Sequence, residues 1–96
     1  MMRATDLLTL AQGAVKFAEA TTDVTRCREQ LSDAYYAWRL FAGVANVLIE
    51  RNDSNWNAMM KATSGEYRLL QNSKGRERRA KGKLLALARE LEGSLK

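Results

Sequence analysis

Residues 17–48 read FAEATTDVTRCREQLSDAYYAWRLFAGVANVL, and their apolar positions recur at alternating steps of three and four residues. This spacing is typical of a helix that lies along another helix, because it keeps one apolar face toward the partner. That face consists of Phe17, Ala20, Val24, Cys27, Leu31, Ala34, Trp38, Phe41, Ala45 and Leu48. A second apolar stripe lies at Met60, Thr63, Tyr67, Leu70, Leu84, Ala88, Leu91 and Leu95. The two stripes predict two long helices packed side by side.

A polar segment between the stripes predicts where the chain reverses. Residues 52–54 are Asn, Asp and Ser, which favour a turn, and Asp53 or Ser54 is suited to cap the helix that follows. We therefore predict a single all-α domain formed by a long, coiled-coil-like antiparallel hairpin. Its first helix spans about 5–51 and its second about 55–95.

The predicted hairpin also has a predicted register. With the reversal centred on residue 53, Ala14 lies opposite Leu91, and Phe41 lies close to Tyr67. An alternative with three or four shorter helices stays open. It would break the second helix at a capping-box pattern over residues 63–66, or at residues 72–75, where a loop is possible.

Residues 34–49 are apolar on almost every side of a helix, since only Arg39 and Asn46 are strongly polar among them. A helix of this kind is buried on almost every side, and one partner helix cannot cover it. A chain of 96 residues is also marginally stable alone. We therefore predict a homodimer with a four-helix core. Its interface is predicted to contain Tyr35, Trp38, Leu40, Phe41, Val44, Val47 and Leu48.

Positive charge is concentrated in the second half of the chain. Residues 72–83 contain six Lys or Arg side chains and one Glu, within a net charge of +5 for the whole sequence. A local excess of this kind attracts phosphates or acidic protein surfaces. On a helix these cations form two groups on opposite sides. We predict that Arg76, Arg79 and Lys83 face solvent and contact phosphates, supported by Lys74, Arg78 and Lys81 nearer the seam.

Part of this run has a counterpart in a known family. Residues 76–81, Arg-Glu-Arg-Arg-Ala-Lys, resemble the arginine-rich helix with which the antitermination proteins of lambdoid phages bind an RNA hairpin. The resemblance covers six of the 96 residues. It implies a helical segment that lies along phosphates.

Catalytic chemistry is not expected from this composition. The sequence contains no histidine, and Cys27 is its only cysteine, so neither the commonest general base nor a cysteine zinc site can be assembled. We predict no enzymatic activity, no metal, no cofactor and no small-molecule substrate. No secretion signal or membrane span is evident, and a lone thiol suits a reducing compartment, which predicts a cytoplasmic protein.

These features support three functional hypotheses. The first is a small basic protein, of the accessory type carried by phages and mobile elements, that binds nucleic acid or a nucleic-acid complex through residues 74–83. The second is an inhibitor or adaptor that occludes a host protein complex. The third is a structural coiled-coil component of a larger assembly.

Overall fold

The computed structural model describes residues 3–94, and these form three α-helices without a β-strand. Helix α1 spans Ala4–Phe41, α2 spans Ser54–Ala62 and α3 spans Ser64–Ser94. The prediction of an all-α hairpin is confirmed, with α1 and α3 as its long helices. The chain divides into two compact units. One pairs residues 3–24 with residues 73–94, and the other consists of residues 25–72.

The predicted apolar face of α1 is confirmed from Phe17 to Trp38. Its central members, Ala20, Val24, Cys27 and Leu31, are buried, and the outer members Phe17, Ala34 and Trp38 are half-buried. Large and small side chains alternate along this face, so that each bulky residue is followed by a small one. Such alternation lets facing side chains interdigitate while the helices stay close together.

Helix α1 ends ten residues earlier than predicted, at Phe41 instead of near Arg51. Gly43 adopts a φ of 72°, the left-handed conformation that stops helices. The N–H of Gly43 donates to the carbonyl of Leu40, and the N–H of Val44 donates to the carbonyl of Arg39, which together form a Schellman motif. The apolar pattern continues past Gly43, but the backbone does not remain helical.

The predicted second helix is divided into α2 and α3 at one residue. Thr63 lies between α2 and α3, and its buried hydroxyl donates to the carbonyl of Met59 at 2.7 Å. The break therefore falls at the start of residues 63–66, one of the two alternative positions, and the hydroxyl bonds backward to the last turn of α2. The alternative break at residues 72–75 is absent, because α3 continues through them.

The predicted register of the hairpin is wrong. In the unit formed by residues 3–24 and 73–94, the Cδ1 atoms of Leu84 and Leu87 lie 3.5 Å from where a Cβ on Gly13 would be. The predicted register placed residue 93 opposite Gly13. Because α1 stops early and residues 42–53 form the connection, the reversal is centred near residue 48 instead of residue 53.

The register change also alters the face of α3 that packs against α1. Its less exposed positions follow the predicted three- and four-residue spacing through Leu70, Ser73, Glu77, Ala80, Leu84, Leu87 and Leu91. Tyr67 and Ala88, which were predicted on this face, are exposed. The predicted seam residue Leu95 lies outside the described residues.

Candidate functional site

All six cations of the predicted site lie on one uninterrupted stretch of α3. The side chains of Arg76, Arg78, Arg79, Lys81 and Lys83 are exposed, and that of Lys74 is half-buried. They belong to the same compact unit, formed by residues 3–24 and 73–94. We define residues 74–83 as the basic segment. The whole of this segment is helical, so its cations are arranged on the helix surface as the sequence predicted.

The two predicted groups of cations lie on the two flanks of the face that packs against α1. Successive residues of a helix are separated by about 100°, so Arg76, Arg79 and Lys83 fall within an arc of about 60°. The same spacing puts Lys74, Arg78 and Lys81 on the other flank. The first group faces solvent as predicted, since all three side chains are exposed, and Lys83 also lines a cavity with residues of α1.

Glu77 carries the only negative charge of the basic segment, and it does not share the exposure of its neighbours. It is half-buried and occupies the three- and four-residue spacing of the packed face, between Ser73 and Ala80. Ser73 itself has an exposed fraction of 0%. The exposed charges of this segment are consequently all positive, which strengthens its attraction for anions.

The side chain of Arg79 extends along α3 toward the preceding turn. Its Nη1 atom is 3.4 Å from the position that a Cβ on Gly75 would occupy. Since residues four apart are neighbours on a helix surface, the missing side chain at Gly75 leaves room for the guanidinium. The glycine that sequence analysis treated as a possible break instead accommodates one of the candidate phosphate ligands.

A cavity of about 210 Å³ lies beside Gly13 between α1 and α3. Its lining combines two lysines from facing helices with two neutral polar side chains and three small or apolar residues. These are Thr9, Gln12, Gly13, Lys16, Ala80, Lys83 and Leu87. The Thr9 hydroxyl donates to the carbonyl of Thr5 at 2.9 Å, so its proton is already used within α1.

The predicted oligomer interface lies in the unit of residues 25–72 and is only partly accessible. Tyr35, Trp38 and Val44 are half-buried within the chain. The Tyr35 hydroxyl lies 4.0 Å from the sulfur of Met60. Burial raises the pKa of this hydroxyl, and nearby Tyr67 raises it further. Four other predicted interface residues are exposed, and they are Leu40, Phe41, Val47 and Leu48.

Phe41 and Leu48 depart furthest from the sequence prediction. Both were assigned to the packed face of α1, yet their exposed fractions are 92% and 80%. Phe41 is the last residue of α1, and Leu48 lies in the following connection. The early end of the helix therefore leaves both side chains outside the packed face.

Sequence reasoning missed two residues that the geometry makes important. Lys16, the only lysine of α1, is brought to the cavity by a register that the sequence pattern did not reveal. Arg39 organises the connection after α1, where its Nη2 atom donates to the carbonyls of Ala45 and Val47. A glycine shortly after Arg39 was an available signal that the helix ends there.

Comparisons with models of known protein families, with curated proteins and with solved structures found no match to this chain. Within residues 3–94, no helix is both long enough and apolar enough to cross a membrane.

Proposed function

We propose that this protein is a non-catalytic helical protein that binds nucleic acid, or a complex containing it, through the basic segment of α3. One observation carries the proposal. Five cations are exposed on an uninterrupted helix, while Glu77, the only acidic residue among them, is half-buried at the packed face. A rigid helix presents these charges at fixed spacing without the entropy cost of ordering a flexible basic tail.

Arg76, Arg79 and Lys83 contact phosphates in this proposal, and Lys74, Arg78 and Lys81 extend the contact along the other flank. Arginine can bind a phosphate through two parallel hydrogen bonds, whereas lysine acts as a point charge. The aromatic residues lie outside the basic segment, so stacking on unpaired bases is not part of the mechanism. Recognition depends on the positions of the phosphates more than on base edges.

The proposed setting is a reducing compartment such as the cytoplasm. Cys27 is a free thiol buried among the packed apolar residues of α1, where it serves as a small hydrophobic side chain. An isolated thiol of this kind is compatible with a compartment that keeps cysteines reduced.

The binding proposal is tested with fluorescence-labelled DNA and RNA duplexes, whose anisotropy reports complex formation. The variant R76E/R79E/K83E reverses one flank of the basic segment. The control R28E/R68E/R89E makes the same change in net charge at exposed arginines outside that segment. We expect the first variant to lose binding and the control to retain most of it. Equal losses would show that only net charge matters and would contradict the proposal.

A second proposal concerns a protein partner, because Leu40, Phe41, Val47 and Leu48 form exposed apolar surface within residues 25–72. Exposed apolar patches of this kind mark surfaces where proteins associate. We propose that a second copy of the chain packs here and completes a four-helix core. The competing proposal is that a different protein occupies this surface, as an inhibitor or adaptor would require.

Light scattering tests the homodimer proposal. We expect the wild-type protein to have twice the molar mass of one chain, and Phe41→Ser to shift it to the monomer. Leu85→Ser is the matched control, since Leu85 is an exposed leucine of α3 outside residues 25–72. A wild-type monomer at micromolar concentration would contradict self-association and leave a different protein as the partner.

A further inference from the structure

Lys16 and Lys83 come from facing helices and line the same cavity. Positions that flank the seam of paired helices usually carry opposite charges, which attract each other across the interface. Here both side chains are positive, and none of the seven lining residues is acidic. Two lysines that line one cavity repel each other, and an anion bound between their ammonium groups would replace that repulsion with two attractions.

The shape of the cavity leaves room for a small ligand. Gly13 contributes no side chain, Ala80 contributes only a methyl group, and Leu84 and Leu87 close over Gly13. The resulting volume of about 210 Å³ is far above the 10–15 Å³ that one water requires. A partly apolar wall also strengthens charge interactions, because it excludes some of the screening water.

The polar groups at the cavity are suited to an oxyanion. The two ammonium groups supply donors and positive charge, and the Gln12 amide supplies a neutral donor. The Thr9 hydroxyl proton already bonds to the carbonyl of Thr5, which leaves its oxygen as a weaker participant. A phosphate monoester carries about −1.5 to −2 charges near neutral pH, which matches two lysines better than a carboxylate does.

We propose that Lys16 and Lys83, with Gln12, form a binding site for a phosphate dianion beside Gly13. This inference rests in part on the proposed function, since Lys83 belongs to the basic segment. The site adds a phosphate contact from α1 to the phosphate contacts that α3 makes. The phosphate could belong to the end of a nucleic-acid strand or to a free phosphorylated compound, and both present the same dianionic group.

The site is tested first with inorganic phosphate at constant ionic strength, with amide resonances followed by NMR. We expect saturable shifts at the Gln12 side chain and the Gly13 backbone. Lys16→Gln and Lys83→Gln should each weaken binding about tenfold, as expected for loss of one charged hydrogen bond. Glutamine has nearly the same helix propensity as lysine, and both lysines are exposed, so the variants should fold.

Arg89→Gln and Lys61→Gln are the matched controls. Arg89 is an exposed cation of α3 outside both the basic segment and the cavity lining, and Lys61 lies in α2. Both should bind phosphate as the wild type does. Unchanged phosphate affinity in Lys16→Gln, or equal losses in all four variants, would overturn the proposal.

A second arm distinguishes the sources of the phosphate. Duplexes of one sequence carry either a 5′-phosphate or a 5′-hydroxyl. Tighter binding of the phosphorylated duplex that disappears in Lys16→Gln assigns the site to a strand end. Equal binding of both duplexes, together with saturable binding of inorganic phosphate, assigns it to a free compound. Phosphate binding without any duplex binding would overturn the proposed function and support the site, whereas duplex binding without phosphate binding would do the reverse.

Discussion

Arg39 reaches from the last turns of α1 to the connection that follows, where its Nη2 atom donates to the carbonyl oxygen of Val47 at 2.6 Å. The same nitrogen donates to the carbonyl of Ala45 at 3.3 Å. One side chain thus satisfies two backbone acceptors in a segment without regular secondary structure. It also fixes the course of the chain beside the exposed apolar residues.

Replacement of Arg39 by methionine should loosen this connection. Methionine keeps most of the apolar stem but cannot donate, so the carbonyls of Ala45 and Val47 lose their partner. We expect a loss of about 1 kcal/mol in the free energy of unfolding, and faster amide hydrogen exchange confined to residues 42–49. Arg28→Met, at an exposed position of α1, is the control and should change neither quantity. Unaltered exchange in Arg39→Met would show that the connection is held by other contacts.

Two glycine-to-alanine substitutions should have opposite effects on stability. Gly43→Ala introduces a side chain at a φ of 72° and should destabilise the protein by about 1 kcal/mol. Gly82→Ala lies inside α3 with open space around it and should stabilise the protein by about 0.5–1 kcal/mol. Urea denaturation measures both changes. A Gly43→Ala variant as stable as the wild type, or more stable, would contradict the assignment of Gly43 as the stop of α1.

Acid should weaken the cap of α2. Asp53 accepts hydrogen bonds from the backbone N–H groups of Trp56 and Glu50, and these bonds hold the pKa of its carboxyl below the usual value of 3.8. Because the folded pKa is below the unfolded one, this contribution is complete above pH 3.8 and disappears as the pH falls through the folded value. Thermal denaturation should show a lower Tm for Asp53→Ala at pH 6, with the difference shrinking below pH 3.8.

Asp53→Asn separates the charge from the hydrogen bond. Asparagine is also a good N-cap residue but does not titrate. Its Tm at pH 6 should lie above that of Asp53→Ala. A Tm difference between the wild type and Asp53→Ala that stays constant down to pH 2 would refute the role assigned to the carboxylate.

The core and the exposed apolar surface should respond differently to truncation. Leu31 is buried within residues 25–72, and Leu31→Ala should cost about 2–5 kcal/mol at any protein concentration. Phe41 is 92% exposed, so Phe41→Ala should cost less than about 0.5 kcal/mol in dilute solution. If a second copy covers Phe41, the loss of unfolding free energy in Phe41→Ala should rise with protein concentration. A large cost for Phe41→Ala at nanomolar concentration would place this side chain in the core of the single chain.

The sequence pattern was sufficient for the parts of the fold that depend on local periodicity. Phe17 to Trp38 kept a regular spacing, and the corresponding residues form the packed face of α1. Asp53 was recognised as a cap because its side chain acts on backbone groups only a few residues away. The helical state of the basic segment agrees with the predicted second helix, although the sequence had left a break at residues 72–75 open.

The remaining features depended on backbone conformation and register. The apolar pattern is the same whether or not Gly43 adopts a positive φ, so the end of α1 was placed too late. That error moved the reversal by several residues and hid the proximity of Lys16 to Lys83. A cavity shared by two helices cannot be located from either helix alone.

The salt dependence of duplex binding decides whether the basic segment of α3 contacts phosphates. If the basic segment neutralises phosphates, log affinity falls linearly with log salt concentration, by about 0.9 for each phosphate contact on B-form DNA. We predict a steep slope for the wild-type protein and a slope reduced by about two in R76Q/R79Q. A flat line for the wild type, or the same slope for both proteins, would contradict the assignment of α3 as a phosphate-binding helix.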